Sequence, residues 1–145
     1  MEKSFKAAAV TALFQRTPSL ARRILPQAIW CFPERQGELF LTFDDRPDPE
    51  FTPALLSLLM KHEIRAAFFL IGEKARKHPQ LVREILTQGH LIGNHTMHHP
   101  RLRWLRRGII KEEIQSAQEV LEDCAGIPVR FFRPPYGALQ HFLFG

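Results

Sequence analysis

From residue 38 onward, short apolar runs alternate with stretches of helical period. Glu38–Phe43, ELFLTF, is a brief apolar run closed by two aspartates, and it predicts a strand. Thr52 at the N-cap and Pro53 at the first helical position then predict a helix to about His62, with Leu55, Leu58 and Leu59 as its buried face. Ala66–Ile71, AAFFLI, is apolar at every position, as in a strand covered on both faces. Pro79 opens a second helix with Val82, Ile85 and Leu86 inward and Gly89 behind it. HLIGN (90–94) predicts a third strand. Ile110, Ile114, Ala117, Leu121 and Cys124 then recur at helical spacing up to Gly126 and Pro128, and RFFR (130–133) predicts a fourth strand.

Strand–helix alternation of this kind is the pattern of α/β folds built from parallel βα units with right-handed crossovers. In such folds the functional groups gather at the carboxyl ends of the strands. Asp44 and Asp45 follow the first predicted strand, the cluster His95, His98 and His99 the third, and Arg-Pro-Pro-Tyr the fourth. All three are therefore expected on one side of the sheet. His95 and His99 are four residues apart, a spacing that lets two imidazoles on one face of a helix or turn reach one metal ion. Added to them, a carboxylate makes a three-ligand site with positions left open. His98 falls off that face; His62, His78 and His90 read as a helix end, a loop and a strand start.

Composition narrows the partners. Hydrophobic residues at 45% and charged residues at 24% belong to an ordinary globular chain of 145 residues, long enough for one core. A net charge of +5 suits nucleic acid, an anionic envelope or an acidic polymer and selects none of them. The densest basic run, RLRWLRRG (101–108), reads as a solvated loop or helix face, with a ligand-facing rim as the sharper alternative. Without aromatic and basic residues alternating along a strand, a nucleic-acid platform is not expected. Cys31 and Cys124 match neither a zinc set nor a redox pair. The start is basic, then apolar from Ala7 to Phe14; eight residues is the low edge for a secretory core, and a short amphipathic helix is expected within an N-terminal extension, 1–37. Both cytoplasm and cell envelope stay open as compartments. No run approaches the roughly 20 apolar residues of a spanning helix, so no stable membrane span is expected.

LTFDD, HTMHH and RPPYG, in that order, resemble the first three motifs of the polysaccharide deacetylase family, carbohydrate esterase family 4, whose unit is the NodB homology domain. The resemblance runs from about Leu39 to Gly137 and implies that residues 38–145 form part of a distorted (β/α)7 barrel, with about four strands present. It implies a divalent metal, zinc in most members, on Asp45, His95 and His99. It further implies Asp44 as general base, Arg133 as the partner that orients it, and Tyr136 as the backbone N–H donor to an oxyanion. Asn94 and Thr96 would support the histidines by hydrogen bonds. The implied activity is metal-dependent removal of N-acetyl groups from a glycan of the chitooligosaccharide or peptidoglycan type.

Two features depart from the family pattern. Arg46 stands where a glycine usually follows the Asp pair, a residue that supplies an unusual backbone angle or room. The later motifs, an Asp near a Trp and a Leu-x-His that provides the general acid, have no counterpart up to Gly145. The expectation is a C-terminally incomplete domain of impaired activity, with a non-catalytic carbohydrate- or metal-binding remnant as the alternative.

Overall fold

The computed structural model describes residues 28, 29 and 39–137, so the expected N-terminal helix lies outside the described residues. Residues from Leu39 onward belong to one compact unit, Gly37–Gly145. Three strands form a parallel sheet in the order β1 (Leu41–Arg46), β2 (Ala66–Leu70), β3 (Leu91–Asn94). Helix α1 (Phe51–Lys61) joins β1 to β2, and α2 (Gly72–Lys77) with α3 (Pro79–Thr87) joins β2 to β3. A one-turn 3-10 segment (Leu102–Trp104) and the long α4 (Arg107–Ala125) follow β3.

β2 is the central strand, and Phe68, Leu70 and Phe69 are all buried, as its unbroken apolar run predicts. Its helix-side face meets Leu56 and Leu59 of α1, Val82 and Ile85 of α3, Ile92 of β3 and Leu121 of α4 in one core. Each such side chain contributes about 1.5–3 kcal/mol through removal from water. Gly126 ends α4 in the left-handed conformation, φ 69°, where its N–H reaches the Glu122 carbonyl at 2.8 Å. Among the described residues, no helix is long and apolar enough to cross a membrane.

Four expectations need correction. β1 does not stop at Phe43 but carries Asp44 and Asp45 within it. Phe43 pairs with Phe68 and Arg46 with Leu70, so β1 holds one extra residue across this interval, a bulge at the Asp pair. The fourth strand is a single parallel bridge, Asn94 with Phe132, because Pro134 and Pro135 follow without N–H groups to extend a ladder. Thr52 is not the cap of α1. Asp48 Oδ1 accepts from the N–H groups of Glu50 and Phe51 at 3.0 and 2.9 Å, while the buried Thr52 hydroxyl accepts from Asp48 N–H at 2.8 Å. The buried stripe is accordingly Thr52, Leu56 and Leu59, with Leu58 54% exposed; five neighbouring apolar side chains allowed more than one phase.

Helix α2 had no signal in the periodicity, being under two turns long. Its start is fixed by contact with the loop after β3: Gly72 N–H donates to Thr96 O and Glu73 N–H to Met97 O, each at 3.0 Å. A Cβ at Gly72 would lie 2.6 Å from Met97 Sδ and 3.0 Å from Ala117 Cα, so glycine permits this three-way approach.

Candidate metal and catalytic site

The sheet aligns Arg46, Leu70 and Asn94 at one end, and Phe132 bridges to Asn94 there. Every candidate site residue leaves from this edge. Asp45 sits on the β1 bulge with φ 63°, and Lys74 Nζ of α2 donates to its carbonyl at 3.0 Å. His95 follows β3 directly. Its N–H donates to Leu70 O at 2.9 Å, and the residue is buried. His99 is reached through a tight turn, the second of the two conformations that the i, i+4 spacing allowed, with Thr96 at φ 68° and His99 at φ 58°.

That turn is held by the two residues assigned a supporting role. Asn94 Oδ1 accepts from Thr96 N–H at 2.8 Å, and its amide donates to Ile114 O and Gln118 Oε1 on α4. Thr96 Oγ1 accepts from His99 N–H at 3.1 Å. Both act on the backbone of the turn rather than on the imidazole rings. His98 points away from the cluster to α4, where Glu113 accepts from its N–H at 2.9 Å and its Nδ1 lies at 2.7 Å from the same carboxylate.

Asp45, His95 and His99 each offer a ligand atom, and these atoms lie within 4.8 Å of one another. Asp45 Oδ1 is 3.2 Å from His99 Nε2 and 3.7 Å from His95 Nε2. Ligands held about 2.0–2.2 Å from one tetrahedral ion stand roughly 3.3–3.6 Å apart, so the spacing fits a shared cation. The tautomer of His95 supports this independently. Its Nδ1 lies 2.7 Å from the Arg133 carbonyl oxygen, which can only accept, so Nδ1 carries the proton and Nε2 presents a lone pair toward the Asp45 carboxylate. Two electron-rich groups converging in this way call for a positive charge between them. Burial holds the His95 imidazole below its ordinary pKa, against the raising pull of the Arg133 carbonyl and of both aspartates, and so favours the neutral form, the one able to ligate a cation.

Asp44 and Arg133, 89 residues apart in sequence, meet at 2.6 Å between Oδ1 and Nη1. The same guanidinium nitrogen donates to Thr42 Oγ1 at 2.9 Å, and its carbon stacks over the Phe69 ring 3.9 Å from the centroid. A pair this exposed adds no more than about 1 kcal/mol of stability, so its effect is to aim the carboxylate. Tyr136 stands at φ 57° beyond the two prolines with its ring 4.7 Å from that of His99. The structure thus gathers all six sequence-derived residues. The Arg133 carbonyl, Lys74 and Glu113 were missed, since a main-chain acceptor has no residue-type signal and Lys74 and Glu113 come from helices with no motif.

Arg46 does not occupy a left-handed position; the positive φ belongs to Asp45 before it. Its carbonyl accepts from Ile71 N–H at 2.8 Å, as an ordinary strand residue, while its Nε is buried without a hydrogen-bond partner. Backbone angle is therefore not what a glycine would contribute at this position, and side-chain volume is.

Residues 33–142 match the polysaccharide deacetylase family. The chain is 45% identical over 107 residues to a peptidoglycan-N-acetylglucosamine deacetylase of Bacillus cereus, covering 74% of this chain and 39% of that protein. It is 42% identical over 106 residues to a chitooligosaccharide deacetylase of Azorhizobium caulinodans, covering 72% and 50%. A family 4 carbohydrate esterase from Streptomyces lividans, solved with acetate, superposes with a TM-score of 0.71 at 34% identity, over 74% of this chain and 56% of that one. The chain spans half or less of the length of the two named deacetylases.

Proposed function

This chain belongs to the polysaccharide deacetylase family, and from that premise we propose that it carries the metal-binding and base-bearing portion of a glycan N-deacetylase. Asp45, His95 and His99 would hold the metal, which we take to be zinc because two imidazoles and one carboxylate form a borderline-soft, open three-ligand set. When bound, the metal supplies Lewis-acid polarisation and a water of lowered pKa.

The protein's own groups do the rest. Asp44, aimed by Arg133, takes a proton from the water as its oxygen bonds to the acetamido carbon. The Tyr136 N–H donates to the carbonyl oxygen as negative charge builds there; loss of such a donor typically costs about 100- to 1,000-fold in rate. The carbon–nitrogen bond then breaks, acetate leaves and the sugar keeps an amine. That nitrogen needs a proton from an acid that none of the first three motifs contains. The substrate class is an N-acetylated glycan, as the names of both relatives indicate for those proteins.

The convergence of Asp45, His95 and His99 beside the Asp44–Arg133 pair carries this reading. Titration of the purified chain with zinc should give one equivalent bound. Asp45→Ala should abolish binding, and Asp44→Ala should retain it while eliminating acetate release from an N-acetylglucosamine oligomer. Zinc bound without acetate release by the wild-type chain would instead favour a non-catalytic remnant.

A further inference from the structure

Beside the metal cluster, the chain presents a cation that nothing in the proposed chemistry uses. From His98 to Lys111 the sequence has four arginines and no acidic residue. Leu102 is fully buried and anchors the 3-10 turn Leu102–Trp104, which leaves Arg101 and Arg103 on the surface. The two arginines are then held differently. Arg103 lies over the Trp104 ring, 4.5 Å from its centroid. Arg101 lies over the Tyr136 ring at 5.0 Å, and that ring in turn packs against His99 at 4.7 Å.

Arg101 is therefore one aromatic ring away from a candidate metal ligand. Among the described residues, no carboxylate forms an ion pair with it, whereas Arg133 at the same site is neutralised by Asp44. Stacking on an aromatic face fixes the plane of a guanidinium and leaves its N–H fork free at the edge, the arrangement suited to a carboxylate. Tyr136 is 62% exposed, so the pair faces solvent where a glycan would approach.

We propose that Arg101, laid on Tyr136, forms a carboxylate-binding subsite next to Asp45, His95 and His99, selecting an acidic N-acetylated glycan over a neutral one. This rests on the deacetylase reading above and adds to it a substrate class: strands whose sugars carry a carboxylate.

The test compares two oligosaccharides of equal length binding to the zinc-loaded chain by calorimetry at low salt. One is an N-acetylglucosamine oligomer. The other alternates N-acetylglucosamine with N-acetylmuramic acid, whose lactyl group bears a carboxylate. The acidic oligomer should bind about 3- to 10-fold tighter, the range for a partly exposed charge-assisted contact, with the advantage shrinking as salt is raised. Arg101→Ala should remove the preference and Arg101→Glu reverse it, while Arg103→Ala, an equal loss of charge on the Trp104 side, keeps it. Equal affinities in the wild-type chain, or a preference that survives Arg101→Ala or is lost as much in Arg103→Ala, would overturn the subsite and leave the deacetylase reading intact. Failure of the zinc-loaded chain to bind either glycan would overturn both.

Discussion

Among the described residues, five non-glycine positions adopt left-handed backbone, and four of them, Asp45, Thr96, His99 and Tyr136, belong to the candidate site. Such positions cost on the order of 1 kcal/mol each, and a β-branched residue is least suited to them. Thr96 is the sharpest case: fully buried, at φ 68°, its hydroxyl spent on the His99 N–H. Glycine would relax the angle but forfeit that bond, so threonine is explained by what it holds. Thr96→Ala should therefore lower zinc affinity by about tenfold, the lower range for groups that support metal ligands. Thr96→Ser, which keeps the acceptor oxygen, should restore most of it. Competition against a chromophoric chelator reads both. Equal zinc affinity in the alanine and wild-type chains would show that the turn keeps its shape without the hydroxyl.

Among the elements, the pairing of β2 with β3 builds the floor under Arg133. Phe69 pairs with Gly93, and a Cβ at residue 93 would meet the Phe69 ring at 2.6 Å and Phe131 Cβ at 3.2 Å. The ring that fills this space carries the Arg133 guanidinium, which aims Asp44. Gly93→Ala should therefore destabilise the chain by about 1–3 kcal/mol through overpacking. An unchanged urea midpoint would mean that the ring gives way freely. The sequence revealed Gly93 only as one letter of a short strand, and the same boundary limits what else was legible. β2, α3 and α4 could be read because their apolar period, Pro79 and Gly126 are local signals. The candidate triad of Asp45, His95 and His99 was named through the resemblance of its ordered motifs, and the fold brings those three residues together. The bulge at Asp44 and Asp45 could not, since aspartates look like a strand's end until a neighbouring strand fixes the register. Nor could the reduction of RFFR to one bridge, which depends on whether the following residues can donate.

For the molecule as a whole, acid should act in two stages. His90 is buried, and its Nδ1 accepts from Ala66 N–H at 3.3 Å, joining the start of β3 to the start of β2. Because it accepts there, the ring is neutral in the folded chain. Burial, and secondarily the charge of Arg65, hold its pKa below the ordinary 6.5. His95 is lowered as well, again chiefly by burial. The unfolded chain thus takes up protons before the folded one does. The stability due to these two groups is complete above pH 6.5 and is lost as pH falls from there through the lower folded values. The carboxylates of Asp48, Glu73 and Glu122 are also lowered, by the Phe51 N–H, the Lys77 ammonium and the Val129 N–H respectively, so their share is lost only as pH drops below the ordinary 3.8 to 4.5. In chelator-treated buffer the melting temperature should be level just above pH 6.5, decline below it, and decline again in the carboxylate range. His90→Asn, whose side-chain oxygen can still accept from Ala66, should flatten the first decline and leave the part due to His95. A first decline as steep in His90→Asn as in the wild-type chain would remove His90 from this account and assign the acid sensitivity to His95 alone.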